Sequence, residues 1–315
     1  MMKNQMKLAY LAAVLNAVIV GLSFLFTKVA LEYANPLDTL MNRFAASFII
    51  MSIPVAFGWI KLTYRGKPLA KVLLLATMYP IGFFTLQAFG LQSATSSEGG
   101  IVFAITPVLT ILLAFVFLKE TTTVMQKLSI FLSVFGVMFI FIMKGSRLDL
   151  SNLTGLSLLF LSCLALAGYS VLAKSLLRTF NPMEITYLML GIGFITFLIG
   201  SVSNHLTAGT IDLLVKPLTN GTFLLSIFYL GVFSSLITAL LSNYSLSKLE
   251  ASKTSVFSNL STIVSIAAGA LFLGEQITIY SIIGSLLIIT GVMGTNRFGA
   301  KRNKAVNVQA GQVEA

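Results

Sequence analysis

The chain has 315 residues, of which 57% are hydrophobic and 10% are charged. Because a soluble protein carries roughly 25% charged residues, this composition excludes an ordinary soluble domain and indicates an integral membrane protein. The single cysteine, Cys163, excludes an intramolecular disulfide and a multi-cysteine metal site. The single histidine, His205, is predicted to lie in a polar loop, which argues against a histidine-based site.

Long apolar runs divide the chain into candidate membrane spans, each close to the roughly 20 residues that a helix needs to cross a bilayer. The ten predicted spans are 8–31, 36–59, 70–91, 95–117, 124–143, 153–175, 182–203, 220–241, 251–273 and 277–295. The first run lacks an A-x-A cleavage site, so it is predicted to span rather than to be removed as a signal peptide. The predicted fold class is an all-α integral membrane protein with ten transmembrane helices and a disordered cytoplasmic tail over 297–315.

The positions of lysine and arginine predict the orientation of the chain. With the N terminus inside, the inner segments carry 16 of the 21 basic residues and the outer loops carry three. Because basic loops tend to stay in the cytoplasm, we expect a multi-pass protein of the plasma (inner) membrane with both termini cytoplasmic. This distribution also explains the net charge of +11 without a nucleic-acid partner.

A four-residue motif occurs twice in the chain, each time between two long apolar runs. Asn35-Pro36-Leu37-Asp38 returns as Asn181-Pro182-Met183-Glu184. Each copy is typical of a helix start, because asparagine is a good N-cap, proline fits the first helical position and an acid at N3 bonds back to the cap. Two copies in the same context indicate that the chain contains one unit twice.

Two further motifs recur later in each half, both at an offset of 155 residues. They pair Phe117-Leu118-Lys119-Glu120 with Phe272-Leu273-Gly274-Glu275, and Gly136-Val137-Met138 with Gly291-Val292-Met293. The chain is therefore predicted to form two five-helix repeats, over 1–145 and 146–296. Because five is odd, the repeats are expected to cross the membrane in opposite directions, and such inverted repeats are common in secondary transporters.

In these motifs the chain resembles the EamA type of the drug/metabolite transporter superfamily over about residues 8–295. The resemblance is carried by the second-half motifs above and by Thr27-Lys28 before Pro36, Arg43-Phe44, and Thr106-Pro107 before Glu120. It implies a bundle of two inverted EamA units that exports small metabolites by alternating access; amino acids, their analogues, nucleosides and drugs are all represented. Span one departs from the family, because Val20-Gly21-Leu22-Ser23 stands where a Trp-Gly pair is common, and this weakens the carry-over of substrate contacts to this span.

Arg43 is the sharpest single candidate for the substrate pathway. It follows Pro36 by seven residues, about 10 Å below the outer boundary. A charge inside a span costs about 2.5–3.5 kcal/mol on insertion scales and tends to face the bundle interior. Its repeat counterpart is Met189, so the charge breaks the pseudo-symmetry, as expected of a residue that meets an asymmetric substrate or a gating partner. The alternatives are a structural ion pair or snorkelling to the outer headgroups.

Glu98, at the start of span four, is a candidate for coupling to protons. It enters the membrane at a depth similar to that of Arg43, and a proton that breaks an Arg43–Glu98 pair is one hypothesis. The alternatives are an acid that merely favours a helix N-terminus and facilitated exchange without a coupling ion.

The remaining candidates for the substrate pathway are polar or aromatic side chains within spans: Lys28, Asn16, Gln87, Tyr169, Tyr187, Asn243, Ser255, Asn259 and Thr262. Ser255, Asn259 and Thr262 share one face of span nine, which suits either tight packing or the lining of a central cavity. Snorkelling is the alternative for Lys28. Glu120 and Glu275 are predicted to be structural caps at the loops.

The sequence contains no glycine-rich phosphate loop, no metal cluster and no nucleophile with a base and an orienting group. No catalytic, cofactor or metal site is therefore predicted, and the protein is not expected to be an enzyme. The leading hypothesis is a secondary transporter that exports small amphipathic metabolites. The alternatives are an uptake carrier for similar metabolites and a non-transporting membrane receptor or assembly factor. The expected partners are a small-molecule substrate, the lipid bilayer and, as a coupling ion, the proton.

Overall fold

The computed structural model describes residues 2–93, 102–103, 105–143, 153–273 and 277–313. Every regular element in these ranges is helical. In the first half the helices are α1 (Met2–Leu31), α2 (Pro36–Ala56), α3 (Leu69–Ala76, Thr77–Gly82 and Phe83–Ser93 in succession), α4 (Thr106–Leu118) and α5 (Val124–Met143). In the second half they are α6 (Leu153–Leu176), α7 (Pro182–Ala208), α8 (Gly221–Phe228, Tyr229–Ile237 and Thr238–Lys248), α9 (Ala251–Val256, Phe257–Asn259 and Leu260–Leu273) and α10 (Ile279–Val313).

The lengths and compositions of these helices are those of a multi-pass membrane protein. Within the described ranges, 7 helices are long and apolar enough to cross a membrane, and Thr106–Leu118 and Val124–Ile140 are shorter apolar helices. The start of the fourth predicted span, 95–117, lies outside the described residues. The expected number of ten membrane crossings therefore stays a prediction.

Both asparagine-proline motifs start a helix, as the sequence predicts. The backbone N–H of Asp38 donates to Asn35 Oδ1 at 2.9 Å, which caps α2. At the start of α7, the backbone N–H of Asn181 donates to Glu184 Oε2, also at 2.9 Å. The two caps fix where α2 and α7 begin.

The third helix of each half is irregular near its middle. In α3 the helix is kinked within Thr77–Gly82, where Tyr79 before Pro80 has an extended backbone (φ −147°, ψ 121°), and in α8 the segment Tyr229–Ile237 is π-helical. A π-helical turn widens the helix and shifts its hydrogen bonds, and such turns are frequent at functional sites. The π-helical segment of α8 was not predicted from the sequence.

The helices pack in pairs that relate the two halves. α3 packs on α6 and α1 packs on α8; α4 packs on α6 and α1 packs on α9. α2 lies against α7, and α5 lies against α10. Each pairing remains a pairing when first-half helices are exchanged with their second-half counterparts.

Small residues bring α5 and α10 close together. A Cβ atom at Gly136 would lie 2.8 Å from the Gly284 carbonyl oxygen, and one at Gly291 would lie 2.5 Å from the Ser129 carbonyl oxygen. Because Gly136 meets Gly284 while the later Gly291 meets the earlier Ser129, the two helices run antiparallel.

Glu120 and Glu275 were both predicted to cap helices. Glu120 accepts hydrogen bonds from the backbone N–H groups of Ala251 (3.0 Å) and Ser252 (3.2 Å) and from Ser252 Oγ (2.6 Å), which confirms that it caps a helix, here α9. Glu275 lies outside the described residues.

α10 continues as a helix to Val313, whereas a disordered tail from 297 was expected. This segment contains no proline and several good helix formers.

Candidate functional site

Arg43 lies deep in the bundle and is bound by α8. Its side chain is 5% exposed. Nε donates to Ser235 Oγ at 2.6 Å, and Nη2 donates to the carbonyl oxygen and the Oγ of Ser234 at 3.0 and 2.9 Å. The guanidinium carbon also lies 4.3 Å from the centre of the Phe84 ring. A side chain held this way does not snorkel, and none of the described carboxylates lies within 4 Å of it.

The local structure of α2 and α8 explains why Arg43 can reach these acceptors. Ser234 and Ser235 lie in the π-helical segment of α8. Close approach is allowed by Gly231, where a Cβ atom would lie 2.7 Å from Ala46 Cβ. One turn beyond Arg43, Ser47 Oγ donates to the Gly231 carbonyl oxygen at 2.8 Å. The two helices therefore form a polar contact inside an apolar bundle.

A narrow cleft between α1, α2 and α3 ends at Arg43. It is lined by Thr27, Leu31, Pro36, Thr39, Leu40, Arg43, Phe84, Gln87 and Ala88. Its volume is about 20 Å³, which holds about one water molecule. Thr39 is buried, and within the described residues its Oγ1 has no hydrogen-bond partner. The cleft thus places polar groups of Thr39, Arg43 and Gln87 among apolar side chains.

An aromatic chain leads from Arg43 to a second polar group. Tyr79, at the kink of α3, packs on Phe84 with ring centres 5.1 Å apart and stacks on Tyr169 at 4.7 Å. Tyr169 is buried and its hydroxyl donates to Asn243 Oδ1 at 2.8 Å. Asn243 Nδ2 in turn donates to Thr186 Oγ1 at 2.9 Å. The chain links α2, α3, α6, α7 and α8.

The other predicted candidates do not line the cleft or lie outside the described residues. The Tyr187 hydroxyl is 3.3 Å from Ser52 Oγ, and Asn259 Nδ2 donates to Ser133 Oγ of α5 at 3.0 Å. Ser255 Oγ donates to the carbonyl oxygen of Ser252 at 3.2 Å.

Four further candidates complete the set. Asn16 on α1 and Thr262 on α9 are half-buried. Lys28 belongs to α1, but its side chain lies outside the described part. Glu98, and with it the suggested Arg43–Glu98 pair, also lies outside the described residues. Of the predicted candidates, Arg43 and Gln87 both line the cleft. Tyr169 and Asn243 are hydrogen-bonded to each other outside it.

We call the face of the bundle that carries Met2 and the α2–α3 connection the near face, and the opposite face the far face. At the far face, a buried acid–base pair joins α2 to α7. His205 Nε2 lies 2.9 Å from Asp38 Oδ2, and both side chains are nearly inaccessible. Ser201 Oγ donates to Asp38 Oδ1, and Asn35 Nδ2 donates to Asp38 Oδ2 at 2.8 Å. The expectation that His205 lies in a polar loop is wrong, because α7 extends far enough to place it in its last turn.

At the near face, Glu184 is bound by the connection that follows α2. Lys67 Nζ lies 2.5 Å from Glu184 Oε2, and the backbone N–H of Thr63 donates to Oε1 at 3.0 Å. The Tyr64 hydroxyl donates to the Glu184 carbonyl oxygen at 3.2 Å. Burial, followed by the charge of Glu184 and by Tyr187, raises the pKa of Tyr64 to about 12, so this hydroxyl keeps its proton at neutral pH.

The roles of several of these residues were not predicted from the sequence. Ser234-Ser235 is a polar pair inside an apolar span, which was a signal for an interior partner. Asp38 and Glu184 were interpreted only as capping acids. Nothing local in the sequence indicates that each also binds a base from the other half.

Comparison with known proteins gives consistent similarities. The sequence matches the EamA-like transporter family over residues 7–142 and again over 153–297. It is 44% identical over 310 residues to the uncharacterized transporter YcxC of Bacillus subtilis, covering 98% of this chain and 99% of that protein. It is 25% identical over 303 residues to a WAT1-related protein of Arabidopsis thaliana, covering 86% and 80%. A solved crystal structure shares the fold, with a TM-score of 0.75, 15% identity and coverage of 91% and 95%.

Proposed function

The chain belongs to the EamA-like transporter family, and we propose that it is a secondary transporter that exports small amphipathic metabolites across the plasma membrane by alternating access. Amino acids, their analogues and drugs are the substrate classes that this proposal includes. The observation that carries it is Arg43, a buried cation that joins α2 of one half to α8 of the other at the end of a cleft.

The composition of the cleft supports an amphipathic substrate. Arg43, Gln87 and Thr39 offer donors to the polar end of a molecule, while Phe84 and Leu40 suit its apolar part. Binding sites for small molecules commonly combine an apolar lining with a few placed polar groups. Since the cleft has room for about one water molecule, its helices must separate before a metabolite enters. The described conformation is therefore a closed one within the proposed cycle.

The antiparallel packing of α5 and α10 supports two repeats of opposite topology. The 155-residue offset of the sequence motifs relates Ser129 to Gly284 and Gly136 to Gly291. The contact of Gly136 with Gly284 and the contact of Gly291 with Ser129 are therefore equivalent under this offset. Equivalent contacts between antiparallel helices are what an inverted repeat produces, and moving one repeat against the other is a common basis of alternating access.

We further propose that the near face is cytoplasmic. It carries Lys61, Arg65, Lys67 and Lys71 in or beside the α2–α3 connection. Such an excess of basic residues in a short connection is typical of the cytoplasmic side. Substrate would then enter from the near face and leave past Arg43 through the far face.

The proposal is tested by comparing the metabolites secreted by cells that carry an empty vector, the wild type or Arg43→Ala. The two proteins must be present in the membrane in equal amounts. A compound enriched outside only with the wild type identifies a substrate, supports export and places Arg43 on its path. Equal enrichment with both proteins would retain export and reduce Arg43 to a structural residue.

Enrichment with neither protein would contradict export. In that case the same cells are tested for depletion of compounds from the medium, because depletion specific to the wild type indicates an uptake carrier. If neither experiment finds a change for any compound, the secondary-transporter proposal fails in favour of a receptor or assembly factor.

A further inference from the structure

One acid–base contact lies at each end of the packed helices α2 and α7. The two contacts differ in their basic residue. The acids Asp38 and Glu184 occupy the same position, N3, in the two halves. At the far face the base is His205, whereas at the near face it is Lys67. Histidine changes its charge between about pH 5 and 8, while lysine does not. The two ends of one helix pair therefore differ in their response to pH.

The surroundings of His205 allow it to gain a proton without losing a hydrogen bond. Its Nε2 lies 2.9 Å from Asp38 Oδ2, and its Nδ1 lies 2.8 Å from Thr210 Oγ1. A hydroxyl both donates and accepts, so Thr210 pairs with Nδ1 whether or not this nitrogen carries a proton. Protonation then gives the imidazole a positive charge, so the hydrogen bond to the Asp38 carboxylate also becomes an ion pair and is strengthened.

Within the described residues, no other charged side chain forms an ion pair with His205 or Asp38. His205 is the one base found within 4 Å of the Asp38 carboxylate there. The neighbouring elements and connections contribute Arg43 on α2, Glu32 after α1, Asp212 on the short helix Ile211–Leu214, and Lys216. Arg43 is held by Ser234 and Ser235, and the other three are exposed.

The position of Asp38 connects this pair to the cleft. Asp38 is in the first turn of α2, between Pro36 and Thr39, which both line the cleft above Arg43. If this turn moves away from α7, the hydrogen bonds from His205 and Ser201 to Asp38 must break. Opening of the far face by such a movement is therefore opposed by the strength of this contact.

We propose that His205 and Asp38 form a proton-binding site at the far face, whose protonated form holds that face closed and whose neutral form lets it open. The ligand is a proton from the aqueous phase on that side. Only the effect on transport rests on the function proposed above. Under this proposal, acid at the far face slows a transporter that must open there, by about fivefold between pH 8 and pH 5.5.

The proton site is tested first without any transport. His205 is the single histidine of the chain, so nuclear magnetic resonance of histidine-labelled protein in micelles reports this imidazole alone. The expected result is a change of its protonation state between pH 8 and pH 5.5. An imidazole that stays in one protonation state over this range would overturn the proposal, whatever the protein transports.

The effect on transport is tested in liposomes with a compound identified by the secretion experiment, while the pH is varied at the far face only. We expect wild-type flux to fall about fivefold at pH 5.5, and flux through His205→Gln to be the same at both pH values. His205→Lys keeps the far pair charged and should be slow at both. Lys67→Gln alters the other end of the same helix pair and should retain the pH response of the wild type.

Two results would overturn the pH-dependent closure. One is a wild-type flux that rises with acid at the far face, and the other is an equal acid response in His205→Gln. If the purified wild type moves no compound under any condition, the proposed transport function fails, but the resonance measurement still decides whether His205 takes up a proton.

Discussion

Arg43 occupies a depth at which an arginine costs about 2.5–3.5 kcal/mol on insertion scales. The protein offsets this cost with three hydrogen bonds to Ser234 and Ser235 and with the face of the Phe84 ring. The acceptors found among the described residues are neutral, so none of them balances the charge of the guanidinium at the end of the cleft. A residue of this kind is available to an anionic or strongly polar group of a substrate.

The geometry of the guanidinium leads to a first prediction. Lysine keeps the charge at position 43, but an ammonium lacks the planar array of donors that reaches Ser235 Oγ and both Ser234 oxygens together. We expect Arg43→Lys to lower flux by about tenfold, equivalent to roughly 1.4 kcal/mol, at an unchanged amount of folded protein. Ser235→Ala, which removes one acceptor, should have a smaller effect. Wild-type flux in Arg43→Lys would show that charge alone suffices.

The cap that Glu120 provides leads to a second prediction. Glu120→Ala leaves two backbone N–H groups and the hydroxyl of Ser252 without their acceptor. We expect a loss of about 1–2 kcal/mol, seen as a lower melting temperature in detergent. Glu120→Gln retains one acceptor oxygen and should lose less. Identical melting of Glu120→Ala and wild type would show that this cap does not stabilise α9.

At the residue scale, the cap formed by Glu120 was predicted from the sequence, whereas the partners of Arg43 were not, and the place of Arg43 on a substrate pathway stays a prediction. Ser235 is 192 residues away along the chain, and no local pattern relates the two positions. His205 was misjudged because the length of α7 was underestimated at its polar end. Pairings of this kind depend on the packing of distant helices.

At the scale of elements, the contact between α5 and α10 depends on the absence of side chains. Gly291 and Gly136 allow the two backbones to approach each other, and Ser129 and Ser133 face Gly291 closely. Helices in membranes associate largely through such close packing, because lipid offers no hydrophobic drive between them. The glycine motif that recurs in both halves is thus a packing motif.

This contact leads to a third prediction. In Gly291→Ala, the new Cβ would lie 2.5 Å from the Ser129 carbonyl oxygen and 2.6 Å from the Ser133 backbone nitrogen. We expect overpacking of about 1–3 kcal/mol and a lower melting temperature. The matched control is Gly221→Ala, because a Cβ atom there meets nothing within 4 Å. Equal melting of both variants would contradict the close packing of α5 on α10.

The bounds of most helices followed from hydrophobic length and from the two asparagine-proline motifs. The π-helical segment of α8 did not, because a hydropathy window is insensitive to which backbone carbonyl a given N–H meets. Tyr229–Ile237 also contains no proline that would mark an irregular helix. The element that binds Arg43 was therefore correctly placed as a span and incompletely described as a helix.

At the scale of the whole molecule, the paired packing of the helices agrees with a chain made of two related halves. α2 and α7 are joined at both faces, by His205 with Asp38 and by Lys67 with Glu184. Recurring motifs predicted the two halves, but the cross-connections arise only when the halves are assembled.

The proposed orientation leads to a fourth prediction. In a Cys163→Ala background, Arg65→Cys at the near face should react with an impermeant thiol reagent only after the cells are permeabilised. Lys216→Cys in the α7–α8 connection should react in intact cells. Both positions are exposed, and Cys163, the single native cysteine, is buried. Labelling of Arg65→Cys alone in intact cells would reverse the orientation and place the far face in the cytoplasm.

The central claim is that this protein is a carrier with Arg43 on its transport path, and counterflow in liposomes tests it most directly. Purified wild type and Arg43→Ala are reconstituted in equal amounts, and uptake of the labelled compound is followed with the unlabelled compound inside. We predict saturable uptake that internal compound accelerates with the wild type, and at least tenfold slower uptake with Arg43→Ala. Uptake by the wild type that neither saturates nor responds to internal compound would contradict a carrier, and equal counterflow in both proteins would remove Arg43 from the path.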